Sequence, residues 1–322
     1  MRVAITGGTG FVGRNLSRAL VAEGHEVVLI ARGLDRSDLA VREHERVTFL
    51  GVSLDDTAKL AEAFAGCDAI AHCAGVNRER GTQTFARVHV DGTRHVIQAA
   101  HKARAKKILL VSFLRARPAC GSGYHESKWA AEELVRESGL DYTIFKSGVI
   151  YGRGDHMLDH LSHAFHTFPV FGFVGFIDKP VRPVAVEDFT RLALAALVTD
   201  ALSCCTLAVV GPEELSLREA VRRVAQVTGR APVMIPMPLW FHYGLAAVVE
   251  RVMKVPLVSL AQVRMLSEGI AAPCPACDLP PPSLAPRTTF NEAQIRKGLP
   301  PPGPFRWADL TFCRTPSGGR EP

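Results

Sequence analysis

The chain has 322 residues, of which 47% are hydrophobic and 22% charged, with 38 Lys+Arg against 32 Asp+Glu for a formal charge of +6. That apolar fraction excludes a disordered chain, and the length allows one large α/β unit or two domains. The basic surplus is modest and comes without a Lys/Arg-rich block, which argues against a nucleic-acid partner.

Met1 leads directly into a strand-like run, with no charged, apolar and cleavage-site layout of a signal peptide. Through residue 150, short apolar runs alternate with amphipathic stretches, the pattern of βαβ units. Strands are expected at residues 3–6, 26–31, 47–50, 69–73, 107–112 and 142–146. Helices are expected at 11–23, 57–65, 85–105 and 127–138, with Gly24, Gly66 and Gly139 placed as left-handed C-terminal caps. Six parallel strands with right-handed crossovers predict a doubly wound α/β sheet of Rossmann type.

Beyond residue 154 the pattern predicts a smaller, mostly helical substrate-binding part over 155–312, with segments near 181–188 and 204–211 returning to the sheet. Helices are expected at 155–166, 189–197, 216–228 and 291–298, and residues 239–268 read as helical and very apolar. That region is still no membrane span. His242 interrupts it, and Glu250 and Arg251 follow, so it falls short of the ~18–20 apolar residues required. Prolines dominate 272–304, and 313–322 reads as a flexible tail.

The first strand runs into Thr6-Gly7-Gly8-Thr9-Gly10-Phe11-Val12-Gly13, which opens the first helix. Glycines there close the turn and let backbone N–H groups approach a pyrophosphate at a helix N-terminus. The second strand ends in Ala31-Arg32, where NAD-selective proteins usually place an acid for the ribose hydroxyls. Arg32, with Arg36 and Arg14 near it, suits a 2′-phosphate, so NADP(H) is favoured over NAD(H).

Further motifs follow in order: Gly66-Cys67-Asp68, His72-Cys73-Ala74-Gly75, Val90-Asp91-Gly92-Thr93, Tyr124-His125-Glu126-Ser127-Lys128 and Val149-Ile150-Tyr151-Gly152-Arg153-Gly154-Asp155. As a set they resemble the extended or atypical short-chain dehydrogenases/reductases, the epimerase/dehydratase-like group, across residues 1 to about 190. The short gap before the YxxxK motif resembles the subgroup that includes an accessory subunit of respiratory complex I. The resemblance implies an oxidoreductase or epimerase/dehydratase using Tyr124 as acid/base, Lys128 as its partner and Ser112 as the hydroxyl that polarises a carbonyl. A spacing of four places Tyr124 and Lys128 on one helix face.

Leu114 stands in the family's usual serine register, and Ser122 is the alternative hydroxyl. The resemblance also places Ser53 and Leu54 at the adenine, Cys73, Ala74 and Gly75 along the cofactor, and Ser147, Gly148 and Val149 beside the nicotinamide. It implies a homodimer through residues 85–105 and 124–138. The substrate is expected to be small and rather apolar, because Phe165, Phe168, Phe171, Phe173 and Phe176 crowd together and Trp240, Phe241 and Tyr243 follow. The same side chains suit a weak membrane-surface contact. A second reading is a non-catalytic NAD(P)H-binding subunit of a larger assembly.

His156, His160, His163 and His166 recur at helical spacing, but the family needs no metal and none is expected. Cys274-Pro275-Ala276-Cys277 is one pair in a proline-rich loop, two ligands short of a zinc site. The eight cysteines read as thiols in a reducing cytoplasm.

Overall fold

The computed structural model describes residues 1–33, 39–253 and 256–309. The chain begins β1 (Arg2–Thr6), α1 (Phe11–Ala22), β2 (Glu26–Ala31), α2 (Leu39–Arg42), β3 (Val47–Gly51), α3 (Thr57–Phe64) and β4 (Ala69–His72). A π-helical turn (Ala86–Asp91) then runs into α4 (Gly92–Ala103), followed by β5 (Lys107–Phe113), α5 (Gly123–Arg136) and β6 (Asp141–Ser147). Next come β7 (Ile150–Tyr151), α6 (His156–Thr167), β8 (Val170–Val174), β9 (Pro180–Val181), β10 (Val184–Ala185), α7 (Val186–Val198) and β11 (Cys205–Val209). The remaining elements are β12 (Leu215–Ser216), α8 (Leu217–Val227), β13 (Val233–Met237), α9 (Leu239–Val252), α10 (Leu260–Glu268) and α11 (Glu292–Gly298).

Two compact units result. The first comprises Met1–Ile150, Arg182–Glu213 and Ile270–Thr289. Its seven-stranded sheet has the order β11-β6-β5-β4-β1-β2-β3, and every pairing in it is parallel. Parallel strands need crossover helices, and these cover both faces, which is why β1, β2 and β4 are apolar on both sides. On one face Val3, Ile5 and Leu29 pack with Leu16 and Leu20 of α1 and Phe189, Leu192 and Ala196 of α7. On the other, Ala4, Val28 and Ile70 pack with Leu60 and Phe64 of α3, Val96 and Ala100 of α4, and Ala131 and Val135 of α5. β11 returns to the sheet beside β6, as the 204–211 segment predicts. The 181–188 segment does not join it. It is split among two-residue strands and the first turn of α7, and β9 pairs with β12 instead. Arg182 and Pro183 break the run between β9 and β10, too soon for either to extend along a sheet strand.

The second unit comprises Tyr151–Val181, Glu214–Gly269 and Phe290–Pro322. Asp155 caps α6 by accepting from the Leu158 N–H at 2.8 Å and also takes the Gly152 N–H at 2.7 Å. β8 and β13 form a two-stranded parallel ladder, with Val170 opposite Val233. The expected phenylalanine cluster splits here. Phe165 and Phe173 are buried, with the Phe171 ring edge-on to both at 5.4 and 5.7 Å. Phe168 and Phe176 are exposed. Among the described residues no helix is long and apolar enough to cross a membrane.

Candidate active site

β1 lies between β2 and β4, so the chain leaves the ends of β1 and β4 in opposite directions and a crevice opens above them. The glycine turn fills the start of that crevice. Gly7 adopts φ +71°, and a Cβ on it would stand 2.7 Å from the backbone of Ala74. The turn therefore sits directly on the Cys73-Ala74-Gly75 segment. A Cβ on Gly13 would lie 2.5 Å from the Gly7 carbonyl oxygen, so α1 closes onto the turn only because Gly13 has no side chain. Gly10 is the N-cap of α1, no side chain caps it, and no acidic residue stands in the first turn. The leading N–H groups are left for an anion, which fits the pyrophosphate of a dinucleotide.

Arg32 directly follows β2 and is exposed beside Gly33; Arg36 lies outside the described residues. Ser53 donates to Asp55 at 3.3 Å, and Asp55 is held by two bonds from Arg87, at 3.2 and 2.8 Å. Leu54 packs on Gly92, where a Cβ would be 2.9 Å from its Cδ1.

α5 begins at Ser122 and sets Tyr124 and Lys128 one turn apart, both buried. Tyr124 sits in a ring of aromatics. Phe85, Phe113 and His89 lie edge-on at 5.5, 5.5 and 5.6 Å. Burial raises the phenol above its ordinary pKa, so it is protonated at neutral pH. The Lys128 ammonium donates to the Val111 carbonyl at 3.1 Å. A Cβ on Gly75 would stand 3.1 Å from the same nitrogen, so the Lys128 ammonium sits directly against this glycine. Burial lowers the Lys128 pKa to about 8, and the Glu132 carboxylate acts against that shift.

A chain of buried polar groups links the glycine turn to this pair. Thr93 Oγ1 donates to the His89 carbonyl at 2.5 Å, so it accepts from His72 Nε2 at 3.1 Å. His72 Nδ1 then accepts from Thr6 Oγ1 at 2.6 Å. His89 Nε2 accepts the Val76 N–H at 3.1 Å, leaving Nδ1–H for Ser127 Oγ at 2.9 Å. Ser127 Oγ in turn donates to the Tyr124 carbonyl at 3.0 Å. These tautomers follow from the bonding pattern. Burial, with the Lys128 charge beside it, holds His72 down to about 3 and His89 well below the usual histidine range. Both rings are neutral. His89 and Ser127 were not singled out by sequence reasoning, although both adjoin motifs quoted above.

Ser112 is where expectation and structure part. Its hydroxyl donates to Glu132 Oε1 at 2.5 Å, inside a buried charge cluster. Glu132 Oε2 is bound by Lys146 Nζ at 3.1 Å and Arg136 at 2.9 Å, and Lys146 also donates to the Ala116 carbonyl at 2.8 Å. The even-numbered positions of β5 face α5, so Ser112 bonds that helix and its proton is committed to Glu132. Ser122 remains, with Oγ 2.7 Å from His125 Nδ1. Ser147 donates to the Val209 carbonyl at 3.0 Å, and a Cβ on Gly148 would meet Ile270 at 2.5 Å. Val149 accepts the Val184 N–H at 2.9 Å. The Cys73 thiol is pushed up to about 12 by burial and is no nucleophile at neutral pH. Among the described residues, no three His, Cys, Asp or Glu side chains gather as metal ligands.

Residues 7–158 match the NAD(P)H-binding family. An uncharacterised protein of Mycobacterium tuberculosis is 29% identical over 82% of this chain, which spans only 27% of that relative's length. A ceramide reductase of Caulobacter vibrioides is 35% identical over 73% of each chain. A 4-hydroxy-2-methyl-3-oxo-4-farnesyl-3,4-dihydroquinoline-1-oxide ketoreductase of Stigmatella aurantiaca is 34% identical over 48% of this chain and 52% of its own. Among solved structures, UDP-glucuronic acid 4-epimerase of Bacillus cereus superposes with a TM-score of 0.70 over 92% of this chain and 97% of its own, at 15% identity.

Proposed function

The chain belongs to the extended short-chain dehydrogenase/reductase family, and from that premise we propose that it is an NADP(H)-dependent oxidoreductase interconverting a carbonyl and a hydroxyl on an apolar substrate. The observation that carries the reading is the buried Tyr124–Lys128 pair on α5, next to Gly75 and tied by hydrogen bonds to the strand that feeds the glycine turn. Residues 7–13 would hold the pyrophosphate, Leu54 the adenine and Lys128 the nicotinamide ribose. The nicotinamide, when bound, supplies or accepts the hydride.

The chain's own part is proton management and positioning. Tyr124 keeps its proton at neutral pH and presents it to the substrate oxygen, which is general acid catalysis by a buried phenol. His89 and Ser127, both uncharged, fix the backbone on which Tyr124 rides. Ser122 is the hydroxyl left for the carbonyl. Phe85 and Phe113 surround Tyr124 with apolar surface, which supports an apolar substrate, as do the activities of the two reductase relatives. Arg32 supports the 2′-phosphate preference.

The test is titration with NADPH and NADH by nicotinamide fluorescence, on the native chain and on Arg32→Glu. Tighter binding of NADPH, lost in the variant, is expected. Equal affinity for both nucleotides, unchanged by Arg32→Glu, would sink the cofactor assignment.

A further inference from the structure

The second unit leaves apolar side chains uncovered on the β8–β13 ladder and on α9, which follows β13 directly. Val170, Val233 and Ile235 share one face of the β8–β13 ladder, and all three are exposed. The chain passes from β13 into α9 through Pro238, and Trp240 at the start of that helix is 74% exposed. Phe241, Leu245 and Val248 continue along α9 at helical spacing, again exposed, with Val248 at 58%. The opposite side of α9 is already occupied: His242 is buried with Nε2 3.3 Å from the Gly172 carbonyl, and Ala246 and Val249 are buried with it. A surface helix normally keeps a polar face toward water, and this one has none before Glu250.

We infer that this face of the second unit docks on an anionic lipid bilayer. No Asp, Glu, Lys or Arg stands between Arg230 and Glu250, whereas exposed Arg230 and Arg251 bracket the apolar segment. The second unit also carries 14 Lys+Arg against 10 Asp+Glu, most of the chain's positive surplus. Apolar and aromatic side chains with cations at the margins match the interface of an acidic membrane. A protein strand is a poorer fit. Val233 N–H donates to the Pro169 carbonyl, so odd positions of β13 face β8 and even ones face outward. Pro236 removes one of the outward donors, which blunts this edge for strand addition. At 14 residues α9 is too short to span a bilayer and lies along its surface. The inference rests on this surface alone and does not depend on the reaction proposed above.

The test is flotation of the full chain with vesicles of phosphatidylcholine alone and of phosphatidylcholine with phosphatidylglycerol. Binding to the anionic vesicles is expected to exceed that to the neutral ones by roughly tenfold at low salt and to weaken in high salt. The double variant Leu245→Glu, Val248→Glu is expected to lose flotation with its circular dichroism and unfolding midpoint unchanged. If that variant does not fold, Trp240→Ser takes its place, with a several-fold loss expected. Failure of the native chain to float with either vesicle overturns the inference. So does flotation that neither variant weakens, or a concentration-dependent dimer that the variants abolish in a chain that never binds vesicles.

Discussion

Along α5, Tyr124, Lys128, Glu132 and Arg136 stand four residues apart on one stripe, yet the two halves of that stripe are held in opposite ways. The C-terminal half is a closed charge cluster. Glu132 is fully buried and takes Ser112, Lys146 and Arg136 at 2.5–3.1 Å, so each buried charge meets its opposite. In the N-terminal half the Lys128 ammonium meets only uncharged groups: it bonds the Val111 carbonyl where the other half has a carboxylate, and His72, His89 and Tyr124 near it are neutral. A buried cation without a contacting counter-ion is costly, and such positions belong to sites where a ligand completes the set. One half of the stripe anchors the helix to the sheet, and the other is the half to which the proposed function assigns the proton transfer.

The most disruptive way to break this contrast is Glu132→Ala. It strands Lys146, which is 1% exposed, in the interior. Removing one partner of a buried pair costs about 3–5 kcal/mol, and urea unfolding should show a loss of that order. A loss under about 1 kcal/mol would mean that water reaches the cluster and that it is no anchor. Tyr124→Phe should do the reverse. It leaves stability within about 1 kcal/mol, because the ring packing is kept, and lowers kcat by roughly 10²–10⁴ on any carbonyl substrate found by screening. Turnover indifferent to this change would remove Tyr124 from the reaction.

How much of this was readable beforehand divides along the same line. The six strands of the first half, the glycine turn and the Tyr124/Lys128 pair are local patterns, set by spacing and by the turn that only glycine permits. The stripe 124/128/132/136 was equally visible, but nothing local says that Glu132 meets Ser112, twenty residues away on β5, and Lys146 on β6. Ser112 was the candidate hydroxyl because it is the serine near the end of an apolar strand, although the family's usual register falls on Leu114. Its true partner is fixed by which face of β5 turns toward α5, a tertiary fact. His89 was hidden for a similar reason. Its bonds to Val76 and Ser127 exist only once the π-helical turn has rotated its ring toward α5. The exposed apolar face of α9 was legible only as composition, which cannot say whether a hydrophobic helix meets the core, a substrate or a membrane surface.

The two serines give a finer division. Ser112→Ala takes a hydroxyl from a charged acceptor and should cost about 1.5–3 kcal/mol in stability, leaving kcat of the folded enzyme nearly unchanged. Ser122→Ala should lower kcat and leave unfolding nearly unchanged. Interchanged results, with Ser112→Ala harming turnover at constant stability, would restore the role that the family resemblance implied.

The smallest effect runs against intuition, because removing Lys128 should make the protein more stable. Lys128 titrates at about 8 in the folded chain against an ordinary value of 10.5. Folding therefore disfavours its proton. Below about pH 8 both states are protonated, and the cost is fully present, at most about 3 kcal/mol. As pH rises from about 8 to 10.5 the folded state sheds the proton first and the cost fades. Above that range it is gone. Lys128→Met abolishes the cost but also forfeits the bond to the Val111 carbonyl, worth about 1 kcal/mol. The net gain at pH 7 should be about 1–2 kcal/mol, shrinking toward zero or below by pH 10. Urea unfolding of both proteins at the two pH values measures it. A variant less stable than the native chain at pH 7 would show that the Lys128 ammonium is compensated in the absence of ligand, and the contrast between the halves of α5 would then fail at its N-terminal end.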